Sequence, residues 1–145
     1  MVGYNFQPIF EPQIRDRSKL QTVRAPRLRH ARPGEPVQLF CDQRSRHCRK
    51  LVSPDPICLR VRPIEIHVSE MIGIASIAIE GIPLDREEIE LFARADGFSP
   101  DRLQGLRVDG HLINGKTARN NMGRFWLYKH GAGRFEGVIV QWEPR

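Results

Sequence analysis

The chain has 145 residues, 40% of them hydrophobic and 28% charged, which fits one folded domain and excludes a collagen-like chain, a coiled coil and wholesale disorder. About two-thirds of the unfolded surface can be buried at this length, and no run of about 18 apolar residues is present to cross a membrane. The formal net charge of +6 is uneven: residues 1–62 hold 13 Lys/Arg against 5 Asp/Glu, and residues 63–145 hold 10 against 12.

Gly3–Phe6 reads as a short opening strand. Between Pro8 and Arg17, Ile9, Phe10 and Ile14 fall on one helical face, with Pro12 tolerated in the first turn. Lys19–Arg24 reads as a turn entering a strand. Ala25–Pro36, with its prolines and arginines, reads as a surface loop with a tight turn at Arg32–Glu35. Val37–Cys41 alternates as a strand, and Asp42–Lys50 follows as a basic loop. Ile57–Val68 is a long strand, expected to be broken or bulged at Pro63. Ile72–Ile82 reads as a buried strand pair or one bent strand. Asp85 is placed to cap a helix whose Ile89, Phe92 and Ala93 share a face, and Gly97 ends it. Ser99-Pro100 opens a second, short helix. Val108–Asn121 has no periodicity and reads as a loop or inserted hairpin. Met122–His130 can form a helix, and Phe135–Trp142 is the last strand. Strands from end to end with helices between them predict an α+β domain with a curled sheet.

Met1–Phe10 lacks a basic stretch followed by an apolar run, so no secretory signal is expected there. Cys41, Cys48 and Cys58 are odd in number, which points to free thiols in a reducing cytoplasm. With His30 and His47 they are the residue types of a zinc site, but their spacing lacks a paired-cysteine knuckle, so neither a metal nor another cofactor is expected. The basic series Arg24, Arg27, Arg29 and Arg32, with Arg44, Arg46, Arg49 and Lys50, lies in two loops flanking the Val37–Cys41 strand. Clustered arginines suit phosphates, and Tyr4, Phe6 or Trp126 could stack a base nearby, so RNA or a nucleotide-like ligand is the expected partner.

A further set of motifs recurs in order: Lys19, Thr22 and Arg24 after a short helix, then Arg32-Pro33-Gly34, Leu39-Phe40, and Asp96-Gly97-Phe98. In this order and spacing the chain resembles the ASCH family of PUA-like domains, in particular its small phage and prophage members. The likeness spans most of residues 1–145, read as a single domain, and leaves 108–121 as an insertion. The resemblance implies a PUA-like mixed β-barrel with peripheral helices and a cleft beside the Lys/Thr strand. It also implies an RNA- or nucleotide-directed role. Some members are amidohydrolases that deacetylate N4-acetylcytidine, and their catalytic Lys, Thr and acid map onto Lys19, Thr22 and Asp96. The acid in those enzymes is Glu, and Leu20 stands where a hydroxyl residue often follows the Lys.

The chemistry is coherent for these residue types. Threonine becomes a nucleophile once a base takes its proton, and a desolvated lysine near a cation such as Arg24 is such a base. Asp96 would then pass a proton to the leaving amine. On a strand, residues i and i+3 face opposite ways, so Lys19 and Thr22 converge only if Lys19 precedes the strand or sits at a bulge. The structural alternative is a Lys19 that caps the preceding helix, an ordinary strand Thr22 and an Asp96 paired with an arginine. A third class of role is binding of a host protein through residues 108–121.

Overall fold

The computed structural model describes residues 2–144. Ten strands and four short α-helices form an α+β fold. β1 (Val2–Phe6) pairs in parallel with β3 (Val37–Cys41), and β3 pairs antiparallel with β4 (Arg49–Lys50). The larger sheet is antiparallel throughout, in the order β2 (Gln21–Arg24), β10 (Gly133–Trp142), β5 (Cys58–Ser69), β6 (Gly73–Ile79), β7 (Ile82–Pro83). A two-residue ladder joins β8 (Arg107–Val108) to β9 (His111–Leu112). The hydrogen-bonded strands among the described residues close no barrel. The two main sheets adjoin at a corner, where Ile57 bridges to Pro36 and the next residue, Cys58, pairs with Trp142.

The expected bulge at Pro63 is not there. β5 runs through Pro63, which pairs with Val138, and the register shifts fall instead at Gln141/Trp142 and His67/Val68. Proline is accommodated because the β6 ladder stops at the Ile64–Ile79 pair; on that side Pro63 only accepts, from Glu80 N–H at 2.9 Å. Ile72–Ile82 resolves into a strand pair: Glu80 and Gly81 both take positive φ (54° and 79°), the geometry of a two-residue hairpin turn.

α2 (Arg86–Ala93) begins with the capping box its sequence promises. The Asp85 side chain accepts from Glu88 N–H and the Glu88 side chain accepts from Asp85 N–H. It runs into a π turn (Arg94–Phe98), where Gly97 takes φ 101°, and then into α3 (Pro100–Leu103). α4 (Ala118–His130) starts four residues before the Met122 expected from sequence. Asn120, Asn121 and Gly123 are weak helix formers, and the start is fixed by remote contacts: the Glu90 carboxylate of α2 accepts from Ala118 N–H and Arg119 N–H at 3.0 and 2.9 Å. Thr117 caps locally through Asn120 N–H.

α4 lies on β6 with backbone against backbone, since a Cβ on Gly123 would stand 2.8 Å from Gly73 Cα. Ile66, Ile74, Ile77, Met122, Ile139 and Val140 are buried to 1% exposure or less in the core around this contact. Each such side chain contributes about 1.5–3 kcal/mol of burial. The segment 108–121 is tied into this core rather than looped out. Val108 and Ile113 are buried, and Asn121 bridges Gly115 N–H to the Phe98 carbonyl. No helix among the described residues is long and apolar enough to cross a membrane.

Candidate functional site

A cleft of about 440 Å³ opens between β1, β2, the π turn and α4. Lys19, Thr22 and Asp96 all line it. The convergence of Lys19 and Thr22 follows from the condition set by strand alternation. β2 begins only at Gln21, and Lys19 precedes it, its N–H donating to the Gln13 carbonyl at 3.0 Å. Lys19 is 3% exposed and Asp96 5%. Lys19 Nζ donates to the Asp96 main-chain oxygen at 2.5 Å and stands 3.5 Å from Asp96 Oδ1. Gln21 Nε2 donates to the same Oδ1 at 3.3 Å.

The π turn brings Asp96 into place. Its extra residue swings the main chain inward, and Gly97 is required there: a Cβ would meet Phe10 at 2.9 Å and Lys19 Cδ at 3.0 Å. Gln13, itself buried, holds both partners. Its main-chain oxygen accepts from Lys19 N–H and its side chain donates to the Gly97 carbonyl at 3.0 Å. Burial pushes the Asp96 carboxyl up, against the pull of Lys19, and pushes the Lys19 amine down, against the pull of Asp96.

Cations and aromatic rings alternate along one side of the cleft. The Arg27 guanidinium carbon stands 4.4 Å from the Tyr4 ring centre, that of Arg24 5.4 Å from Tyr4 and 4.8 Å from Phe6, and Lys19 Nζ 4.7 Å from Phe10. Arg24 donates to Thr22 Oγ1 at 3.0 Å and to the Asn5 carbonyl at 2.6 Å. Arg27 donates to the carbonyls of Gly3 and Arg29. Burial pulls the Arg24 guanidinium down to about 10. The opposite wall is aromatic: Phe98 and Phe125 pack with Phe10 at 5.3–5.7 Å between ring centres, and Trp126 packs on Phe135 and His130 at 4.7 and 4.5 Å. Burial lowers His130 below its ordinary 6.5, with Lys129 adding to the effect.

The remaining basic residues divide. Only Arg24 and Arg27 of the series line the cleft. Arg29 is ion-paired with Glu35. Arg49 is held by Glu11 and Asp42, and Lys50 by Asp55, so both serve the fold. Arg32, Arg44 and Arg46 are exposed. The loop carrying Arg44 and Arg46 is tied beside the cleft by Gln43 N–H donating to Asn5 Oδ1 at 2.9 Å. Tyr4 and Phe6 are buried under the arginines and offer no free face for a base. Cys41 and Cys58 are buried in strands and Cys48 is exposed; no group of three or more His, Cys, Asp or Glu among the described residues is arranged to hold a metal ion.

Gln13, Gln21, Phe125 and His130 join the site with no signal in the sequence, while Phe98 comes with the Asp96-Gly97-Phe98 motif. Glutamines carry no spacing signal, and an aromatic ring on a helix reads as ordinary core. In comparisons with known proteins, no family model, no curated protein and no solved structure matches this chain.

Proposed function

We propose that the cleft binds a nucleotide unit of single-stranded RNA, the base against the half-buried Phe125 and Phe135 and the phosphate on Arg24 and Arg27. One observation carries this reading. The two guanidiniums at the cleft are held by rings, main-chain carbonyls and the Thr22 hydroxyl rather than by carboxylates, so their charge is left for an anion, opposite an aromatic wall suited to a base. The volume suits a ligand of nucleotide size rather than a duplex. The PUA-like assignment belongs to the same reading and is supported by the corner at Ile57–Cys58, which sets two sheets around the cleft. A cytoplasmic setting goes with it, supported by the three free thiols.

The test is a titration with a short single-stranded RNA at several salt concentrations. Log affinity should fall against log salt by about 0.7 per phosphate engaged. Binding that ignores salt, or that survives Arg24→Ala and Arg27→Ala together, would overturn the reading.

A second reading, hydrolysis of an N4-acetylated cytidine, is favoured by the shared position of Lys19, Thr22 and Asp96. Burial favours the neutral Lys19 amine, which can take the Thr22 proton as the Thr22 oxygen attacks the acyl carbon. A protonated Asp96, favoured by the same burial, gives its proton to the departing amine, and water then cleaves the acyl-threonine ester. Acetate appearing in the proton NMR spectrum with N4-acetylcytidine, and absent with Lys19→Ala, would establish this activity; its absence from the wild type would remove it.

A further inference from the structure

On the large sheet, outside the residues that line the cleft, two arginines are engaged by a single neutral acceptor. Gln21, Gln141 and Arg60 are register partners across β2, β10 and β5, so their side chains share one face. By strand alternation that face is opposite to the one carrying Thr22 and Arg24, and it is shared by Val23 and Phe135 of the cleft. Arg60 and Arg62, two apart on β5, lie on it together, and both donate to Gln141 Oε1, Arg62 at 3.2 Å. Neither makes an ion pair with a carboxylate among the described residues; Glu80, the carboxylate acting on Arg62, sits beyond ion-pair distance on the β6–β7 turn. The Nε of Arg62 is buried with no hydrogen-bond partner. A buried charged donor without an acceptor is costly, so it marks a position where an anion is stabilising.

The same glutamine faces inward. Gln141 Nε2 donates to Gln21 Oε1 at 3.4 Å, and Gln21 Nε2 donates to Asp96 Oδ1. Every donor in this chain is aimed the same way, from the arginines toward the buried carboxylate. An anion that takes up the donors of Arg60 and Arg62 competes with Gln141 Oε1 for them, and the glutamines transmit the change to Asp96.

We propose that Arg60 and Arg62 form a second anion site, for a phosphate group, outside the cleft lining on the face of the large sheet that carries Gln21, connected to Asp96 through Gln141 and Gln21. The site does not depend on the nucleotide reading of the cleft. Its test is the set of arginine Nε–H and glutamine side-chain amide resonances during titration with inorganic phosphate, against sodium chloride at matched ionic strength. Arg60 and Arg62 should shift saturably while the exposed Arg44 and Arg46 stay put. Arg60→Gln with Arg62→Gln should weaken phosphate binding about tenfold, the loss of charge-assisted hydrogen bonds. Arg44→Gln should leave it unchanged. Equal shifts at all four arginines, or none at Arg60 and Arg62, would overturn the site. The connection predicts that Gln21 shifts too, and that Gln141→Met abolishes the Gln21 response but not the arginine response; a Gln21 signal blind to phosphate in the wild type overturns the connection. A single-stranded RNA distinguishes the source. Shifts at Arg24, Arg27, Arg60 and Arg62 together support backbone phosphates reaching both pairs of arginines. Shifts at Arg24 and Arg27 alone support a small free phosphate as the ligand of Arg60 and Arg62.

Discussion

Replacing Lys19 by methionine separates what the buried Lys19–Asp96 pair does for stability from what it does for the cleft. With Nζ 3.5 Å from Oδ1, their attraction is about 5 kcal/mol at an effective dielectric of 20. Removing two ions from water costs several kcal/mol for each, so the intact pair comes close to cancelling. Lys19→Met abolishes the attraction and leaves the carboxylate buried, a loss of about 3–5 kcal/mol at neutral pH. Adding Asp96→Asn removes the second charge while keeping an oxygen for Gln21, and the double variant should return to within about 1 kcal/mol of wild type. Urea titrations of the four proteins, followed by tryptophan fluorescence, give the cycle. The pH dependence adds a signature. Because burial raises Asp96, the unfolded chain loses that proton first, and stability falls as pH climbs from the ordinary 3.8 to the raised value. Because burial lowers Lys19, the unfolded chain keeps its proton longer, and stability rises as pH climbs from the lowered value to 10.5. The wild type therefore passes through a stability trough between these two windows, which the double variant lacks. A Lys19→Met loss below about 1 kcal/mol, or a double variant as unstable as the sum of its singles, would refute the reasoning.

Gly97→Ala should cost about 2–4 kcal/mol in urea unfolding, from a methyl 2.9 Å from Phe10 on a backbone at φ 101°; a loss under about 1 kcal/mol would show that the π turn yields. Gly123→Ala should cost about 1–3 kcal/mol by driving α4 off β6, where the new Cβ meets Gly73 Cα at 2.8 Å. Arg27→Ala should lower the salt slope of RNA binding by about 0.7 without changing the urea midpoint. Arg49→Ala should do the reverse, leaving RNA affinity intact while lowering the urea midpoint near neutrality. Arg49 holds the Glu11 carboxyl below its ordinary 4.5, so this contribution is present above 4.5 and fades as pH falls through the lowered value; the difference between variant and wild type should shrink in acid.

The parts of this architecture that local rules dictate were legible from the chain. The Asp85–Glu88 box and the β3 alternation each depend on neighbours a few residues away. The gathering of Lys19, Thr22 and Asp96 was legible as a condition, that Lys19 precede its strand, and β2 begins where that condition needs it to. What depends on distant partners was not. The start of α4 is set by a carboxylate on another helix. The arginines look alike in sequence, yet Glu11, Glu35 and Asp42 draw Arg49 and Arg29 into the fold and leave Arg24 and Arg27 to rings and carbonyls. Proline's place in β5 depends on where a neighbouring strand happens to stop.

The seating of α4 on β6 through Gly73 and Gly123 has a consequence for the cleft. Phe125 and Trp126 stand two and three residues after Gly123 in the same helix, so the aromatic wall is carried on a lever whose fulcrum is a pair of missing side chains. The gap between that wall and the cationic side is therefore set by two residues that would never touch a ligand. Single-methyl increments at the fulcrum act as shims, adjusting how thick an occupant the slot accepts while every contacting residue stays the same.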